Sequence, residues 1–201
     1  MKLVGRLLSP FVRRVAATLN LYGLAWEAVP LATTTDGAAI RAYNPLGRVP
    51  ILVLDDGETL IESAAILDHL DELAGEAALV PRAGAVRREV LRVTSLGLGA
   101  ADKTVAAFTE LQRRPEEVRW AEGGAALMAQ AMGGFAALEA MAVGDHLCLG
   151  RLTQADVTAV VARDFACRVL PAEMDGRFPG LAALSARLND DPRIASTQFA
   201  G

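Results

Sequence analysis

The stretch NPLGRVPILVLDDGETLIES, residues 44–63, constrains the fold more than any other part of the sequence. It predicts two short strands, 51–54 and 59–61, because the Asp-Asp-Gly turn between them is a strong hairpin signal. A helix is predicted directly after Glu62, with an apolar stripe on one side. The stripe consists of Ile66, Leu67, Leu70 and Leu73. The residues expected to face outward are Asp68, His69, Asp71 and Glu72. A hairpin that leads into such a helix indicates a sheet with helices packed against it.

Strand and helix signals alternate in the residues before this stretch. The predicted elements are strands at 2–7 and 25–31 and a short helix at 37–43. Between the two strands a helix begins at Ser9-Pro10, since serine is a favoured N-cap and proline is tolerated at the first helical position, and Gly23 ends it. Its residues off the apolar stripe are Arg13, Arg14 and Asn20. This order of elements predicts an α/β domain with a mixed sheet.

The strand signals fade after Pro81, and the rest of the chain is predicted to be helical. The predicted helices are 84–113, 116–142, one that begins at Thr153, and 179–189. Thr153 and Asp156 have the spacing of a capping box, with Asp in place of the usual Glu, so Asp156 is expected to be structural. With a linker at 74–84, the predicted domains are 1–76 (α/β) and 84–201 (all-α).

Composition and charge exclude several function classes. The chain has 201 residues, 52% of them hydrophobic, and a net charge of −4, so a nucleic-acid partner is not expected. No apolar run is long enough to span a bilayer, and Arg6 interrupts the apolar N-terminus, which is expected to be a strand and not a signal peptide. The two cysteines form no disulfide framework, which fits a reducing, cytosolic setting. His69 and His146 are isolated, so no metal site is expected.

Three segments together resemble the glutathione S-transferase superfamily, in particular its serine-type, bacterial members. They are SPFVRRV (9–15), NPLGRVPILVLDDGETLIESAAILDHLDE (44–72) and GRLTQADVTAV (150–160). The resemblance implies a thioredoxin-like N-terminal domain followed by an all-helical C-terminal domain. It also implies glutathione as co-substrate, no metal, a cytoplasmic homodimer, and a detoxifying transfer of glutathione to a small apolar electrophile.

The resemblance assigns catalysis to Ser9, whose hydroxyl would donate to the glutathione thiolate. The residues alone indicate an N-cap at Ser9, and the two roles are compatible because a hydroxyl accepts and donates at once. Residues 9–12 contain no cysteine, which excludes the thiol–disulfide exchange of the cysteine-type branches of this fold. Leu7 and Leu8 leave no tyrosine where the tyrosine-type transferases place theirs.

The resemblance also assigns a glutathione site. It implies a cis bond between Val49 and Pro50, with the Val49 backbone pairing with the cysteinyl residue of glutathione; the alternative is a trans proline at the start of an edge strand. Ser63 and the helix N-terminus would take the γ-glutamyl carboxylate, and Glu62 the adjacent ammonium. Without the resemblance, Ser63 is a helix cap, and Glu62 before it is an acid that the helix dipole favours.

For two residues of this predicted site, a role in binding glutathione and an ordinary structural role are equally open. Arg48 either reaches the glycyl carboxylate of glutathione or is a solvated loop charge. Phe11 either packs beside the thiol or belongs to the core of the first helix.

The helical domain is expected to supply the pocket for the second substrate. The candidate pocket residues are Ala101, Val105, Phe108 and Phe165. Asp102 is a candidate for a contact across the dimer to the γ-glutamyl ammonium. Two further functions stay open, a glutathione-dependent isomerase similar to maleylacetoacetate isomerase and a non-catalytic binding or regulatory protein on the same fold.

Overall fold

The computed structural model describes residues 1–199, and their contacts divide the chain into two units. The first unit contains Met1–Leu79 together with the C-terminal segment from Asn189, and the second contains Val80–Leu188. The predicted domain boundaries stay a prediction, but no sequence signal placed the C-terminal segment in the first unit.

Four strands form one mixed sheet in the described part of the first unit. They are β1 (Lys2–Val4), β2 (Glu27–Val29), β3 (Ile51–Val53) and β4 (Thr59–Ile61), in the order β2-β1-β3-β4. β1 is parallel to β2 and antiparallel to β3, and β4 is antiparallel to β3, as the hairpin prediction requires. The helices of this unit are α1 (Pro10–Leu21), α2 (Gly37–Tyr43), α3 (Ser63–Ala74) and the short α9 (Pro192–Ala195).

β1 ends earlier than the predicted 2–7, because Gly5 turns the chain. Gly5 has φ +127°, a conformation that strongly favours glycine. A Cβ atom at this position would lie 2.6 Å from Val12 Cγ2 and 2.9 Å from Val49 Cβ. The missing side chain therefore lets the loop before α1 pass close to the residue that precedes Pro50.

The core of the first unit lies between the sheet and helices α1 and α3. Its fully buried side chains include Leu3, Val15, Leu19, Leu52, Ile66 and Leu70. The prediction was wrong for Leu73, whose side chain is 54% exposed, and for Asp71, which accepts a hydrogen bond from the Tyr22 hydroxyl. The inner side of the last turn of α3 therefore carries Asp71, because Tyr22 at the end of α1 supplies a polar partner there.

Two arginines off the apolar stripe of α1 are buried. Arg13 is 5% exposed and Arg14 is 3% exposed. Arg13 is accommodated by hydrogen bonds from its guanidinium to Asn189 and Thr197 in the C-terminal segment. Burial lowers the pKa of Arg14 to about 10, an effect that the negative charge of Asp71 partly opposes. A sequence pattern places charged residues off a stripe but does not show which later segment will cover them.

The second unit is helical, as predicted. Its helices are α4 (Gly84–Phe108), α5 (Ala121–Glu139), α6 (Gln154–Val169), α7 (Pro171–Met174) and α8 (Pro179–Asn189), the last of which ends in the first unit. α4 continues as a π-helical turn to Arg113, so the predicted end at 113 is confirmed. α5 is shorter than the predicted 116–142, since Pro115 and the extended Arg119 delay its start. Its glycines permit close packing, because a Cβ at Gly124 would lie 2.2 Å from Leu111 Cδ2.

The capping box at the start of α6 is confirmed. Asp156 is fully buried, and its carboxylate accepts from the Leu147 N–H at 2.7 Å and from the Thr153 N–H and hydroxyl, both at 2.8 Å. These three hydrogen bonds stabilise the buried carboxylate, so the burial of Asp156 is explained by its structural role. Across residues 1–199, no helix combines the length and apolarity that crossing a membrane would require.

Candidate functional site

Ser9 lies in an extended conformation immediately before α1 and caps it. Its Oγ accepts from the Val12 N–H at a long 3.4 Å, and Pro10 occupies the first helical position. Within residues 1–199 the Ser9 hydroxyl proton has no acceptor. The half-buried hydroxyl therefore serves as a cap and still has a proton to donate.

The loop before β3 brings Val49 close to Gly5, which lies in the loop before Ser9. The Val49–Pro50 peptide bond is cis, as the resemblance implied. Val49 is half-buried, and among residues 1–199 its N–H and C=O make none of the backbone hydrogen bonds that join loops and turns. Both groups are therefore available to an extended ligand.

Asn44 stabilises this loop, and the sequence prediction missed it. Its side-chain amide donates to the Arg48 carbonyl at 2.9 Å, and its carbonyl oxygen accepts from the Leu46 N–H at 3.0 Å. Asn44 is only 1% exposed. An Asn-Pro pair in the sequence is an ordinary turn signal, so the burial that gives this side chain its role is visible only in the fold.

The start of α3 has two unusual residues. Glu62 has φ +65° and ψ 124°, a left-handed conformation that costs a non-glycine residue about 1–3 kcal/mol and is found mostly at functional sites. No side chain caps the helix, so its first-turn N–H groups are open to an anion. Ser63 is the first helical residue and is buried.

Arg48 and Glu62 form an ion pair, with Arg48 Nη1 at 3.3 Å from Glu62 Oε1. Their side chains are 60% and 49% exposed, so the pair contributes at most about 1 kcal/mol and opens readily. The two residues predicted for opposite ends of glutathione are thus neighbours in this structure.

Phe11 is half-buried and lies outside the core cluster that α1 forms with α3 and the sheet. Its position on the first turn of α1 leaves it close to Ser9 in the chain. Its predicted contact with the thiol stays a prediction.

The residues predicted for the second substrate all lie in the second unit. Ala101 is buried, while Val105, Phe108 and Phe165 are half-buried. The Asp102 side chain is 59% exposed and lies 3.7 Å from Lys103 Nζ. None of these residues lines the open cavity of about 590 Å³ formed beside α6 and α7, whose wall includes Arg163, Cys167 and Arg177.

The two cysteines and His146 lie in the second unit, apart from the residues predicted to bind glutathione. Cys148 and Cys167 are free thiols, and burial raises the pKa of both, which keeps them protonated at neutral pH. His146 Nδ1 lies 3.8 Å from the structural Asp156. In the described part of the chain, no group of three or more His, Cys, Asp or Glu side chains is arranged to hold a metal ion.

The family model that matches the chain is that of the glutathione S-transferase N-terminal domain, over residues 3–78. The chain is similar to an uncharacterized GST-like protein of Escherichia coli (strain K12), with 31% identity over 57% of this chain and 56% of the relative. It is also similar to maleylacetoacetate isomerase of Pseudomonas aeruginosa, with 42% identity over 33% of this chain and 34% of that enzyme. These matches span between about a third and about half of the relatives' lengths.

Solved structures match over the whole chain. A glutathione transferase family member from Pseudomonas fluorescens Pf-5 with bound glutathione has a TM-score of 0.88 and 28% identity, covering 100% of this chain and 99% of that one. A glutathione S-transferase from Methylobacterium radiotolerans in complex with glutathione sulfonate has a TM-score of 0.90 and 28% identity, covering 100% and 97%. The predicted fold class, a thioredoxin-like domain followed by a helical domain, is confirmed.

Proposed function

Since the chain belongs to the glutathione S-transferase superfamily, we propose that its first unit binds glutathione and that Ser9 holds the bound thiol as a thiolate. The observation that carries the proposal is the uncapped start of α3, where Glu62 is left-handed and Ser63 is buried. The same unit contains Val49, whose backbone groups are open, and the Ser9 hydroxyl. Glutathione needs these three features: an anion site, a backbone partner and a donor for sulfur.

The two ends of glutathione would use the charges of the site. The γ-glutamyl carboxylate would accept from the first N–H groups of α3 and from the Ser63 hydroxyl, which the positive end of the helix favours. Glu62 would take the neighbouring ammonium, and Arg48 the glycyl carboxylate. Both assignments require the exposed Arg48–Glu62 pair to open, a step that costs at most about 1 kcal/mol.

The cysteinyl residue of glutathione would lie between these two ends. Its N–H and C=O would pair with the Val49 backbone in the manner of an added strand. This placement carries the sulfur toward the Ser9 turn, since Gly5 keeps the loop before α1 close to Val49.

The chemistry follows from the ionisation of the thiol. A free thiol has a pKa near 8.5, and lowering it by about two units requires about 2.7 kcal/mol of thiolate stabilisation. The Ser9 hydroxyl and the N-terminus of α1 would supply it together. The thiolate would then form a carbon–sulfur bond with an electrophile, the leaving group would depart with the bonding electron pair, and the thiol proton would pass to solvent.

The electrophile site, the cellular location and the assembly are also proposed. The helical unit would hold a small apolar electrophile beside Ala101, Val105, Phe108 and Phe165. The molecule would act in the cytoplasm as a homodimer, with Asp102 as a candidate contact across the dimer to the γ-glutamyl ammonium.

A second candidate is a glutathione-dependent isomerase, which the 42% identity to maleylacetoacetate isomerase favours over the stretch it covers. In that reaction the thiolate would add to the substrate and leave again, so glutathione would not be consumed. The Ser-Pro-Phe-Val-Arg-Arg segment lacks the serine-rich sequence usual before the arginine in such isomerases. A non-catalytic binding protein would keep the glutathione site without either reaction.

Calorimetry with glutathione, followed by assays of glutathione consumption, tests these alternatives. Transfer predicts saturable binding and loss of free thiol with an activated aryl chloride. Isomerisation predicts binding and turnover of a cis-dienoic acid without loss of thiol. Binding without either turnover would leave the non-catalytic function, and absence of binding at millimolar glutathione would refute the proposal.

A further inference from the structure

Arg13 is a buried arginine one helical turn after Ser9, and the C-terminal segment supplies hydrogen-bond acceptors for it. Arg13 Nη2 donates to Asn189 Oδ1 at 3.0 Å, and its Nε donates to Thr197 Oγ1 at 3.4 Å. The Thr197 hydroxyl in turn donates to the Ile194 carbonyl at 2.6 Å, so its lone pair faces Arg13. A buried guanidinium without such acceptors would be strongly unfavourable. The position of Arg13 is therefore tied to the C-terminal segment.

The same segment contacts the chain on the other side of Ser9. The Arg6 guanidinium lies over the Phe199 ring, 5.3 Å from its centroid, a cation–π distance. The Arg6 carbonyl accepts from the Ser9 N–H at 3.0 Å, and the Ser9 carbonyl accepts from the Arg13 N–H at 2.9 Å. The residues that bracket Ser9 in the backbone are thus the residues whose side chains contact the C-terminal segment.

A third contact fixes the far end of α1. The Asn20 amide donates to the Arg193 carbonyl at 2.9 Å and to Ser196 Oγ at 3.2 Å. Asn20 Oδ1 accepts from the Trp26 indole N–H at 2.8 Å. The segment therefore runs along the length of α1, and rotation or sliding of this helix would break contacts at both ends.

We propose that the C-terminal segment, residues 189–199, holds the Ser9 turn in its working position and that Arg13 is the positioning residue through which it acts. The proposal rests on the role proposed above for Ser9. Arg13 does not touch the thiol in this account; its hydrogen bonds fix the first turn of α1, and with it the direction of the Ser9 hydroxyl. If a group that stabilises the reacting atom is displaced by a fraction of an ångström, the rate of turnover falls, while ligand contacts elsewhere persist.

The test compares full-length Arg13→Leu with wild type. Leucine keeps the position buried and apolar and removes the hydrogen bonds to Asn189 and Thr197. We expect the pKa of bound glutathione to rise by about half a unit or more and kcat to fall roughly tenfold, with the KM for glutathione within about twofold. Amide exchange at Val12 and Arg13 (or its replacement) should accelerate. Arg151→Ala, at an exposed arginine of the second unit, is the matched control and should behave as wild type.

A second pair of variants covers the case in which Arg13→Leu fails to fold. Thr197→Val keeps the shape of the side chain and removes the acceptor of Arg13 Nε while Asn189 still accepts from Nη2, and Thr197→Ser restores the Nε acceptor. Thr197→Val should shift the thiol pKa and kcat in the same direction as Arg13→Leu, and Thr197→Ser should return both toward wild type. Wild-type thiol titration and kcat in Thr197→Val would overturn the proposal, as would a loss that Thr197→Ser does not recover.

The outcomes separate this proposal from the proposed function. Failure of the wild-type protein to bind glutathione overturns the proposed function and this inference with it. Normal wild-type binding with unchanged thiol titration in the Arg13 and Thr197 variants overturns the positioning role alone.

Discussion

Replacing Ser9 by alanine should separate its two roles, because the structure makes one of them weak. The cap hydrogen bond from the Val12 N–H is 3.4 Å long, well beyond the usual 2.9–3.0 Å, so its loss should lower the free energy of unfolding by only about 0.5–1 kcal/mol. The proposed donation of the hydroxyl proton to the thiolate should matter more for turnover. By analogy with the loss of one oxyanion donor, turnover should fall roughly 10- to 1,000-fold. Glutathione affinity should change little, since the proposed contacts with the peptide are at Val49 and the start of α3.

Three variants at this position make the assay decisive. Ser9→Gly removes the hydroxyl but should lower stability by only a few tenths of a kcal/mol, because glycine is an acceptable N-cap. Ser9→Thr keeps both the hydroxyl and the cap. Denaturant unfolding and steady-state kinetics on all three should show turnover following the hydroxyl and not stability. Nearly normal turnover in Ser9→Gly would refute the reasoning and leave Ser9 as a helix cap.

Three further expectations concern glutathione binding, stability and assembly. Glu62→Ala should weaken glutathione binding by about 1.5–3 kcal/mol through loss of one charge-assisted contact, measured by calorimetry; an unchanged dissociation constant would remove Glu62 from the site. Asp156→Ala should lower the free energy of unfolding by roughly 3–5 kcal/mol, because it leaves the Leu147 and Thr153 donors unpaired; a denaturant midpoint close to wild type would contradict this. Sedimentation should give twice the chain mass of 21.2 kDa at micromolar protein, and a monomer mass would refute the proposed dimer.

The elements that the sequence predicted well are those with strong local signals. The Asp-Gly turn specifies the hairpin of β3 and β4, and the Thr153–Asp156 spacing specifies the start of α6, because each depends on residues within one or two turns. The helices α2 and α8 also begin and end as predicted, at Gly37–Tyr43 and Pro179–Asn189.

The elements that were mispredicted depend on contacts distant in sequence. β1 stops at Val4 because Gly5 must turn beneath Val12 and Val49. Arg13 is buried because a segment more than 170 residues later covers it. Periodicity within α1 contains no information about either contact, so the sequence placed Arg13 off the apolar stripe without indicating that it is buried.

The candidate site divides in the same way. Ser9 as a cap followed from local preference, and the cis bond before Pro50 followed from the resemblance, since its prior for an X-Pro bond is only about 5%. The left-handed conformation of Glu62 and the burial of Asn44 had no sequence signal, because glutamate and asparagine occur in many exposed turns. Arg48 and Glu62 flank the open end of the β3–β4 hairpin, where Ile51 pairs with Ile61, but the sequence analysis did not predict that they form an ion pair.

The most direct test of the account is the thiolate absorbance of glutathione bound to the wild-type protein, titrated against pH. The account predicts saturable binding and a titration midpoint roughly two units below the free thiol value near 8.5. Transferase activity should rise with pH through that midpoint and then level off. A bound thiol that titrates like free glutathione, or no saturable thiolate signal at millimolar glutathione, would contradict the claim that the Ser9 turn and the start of α3 form a glutathione-activating site.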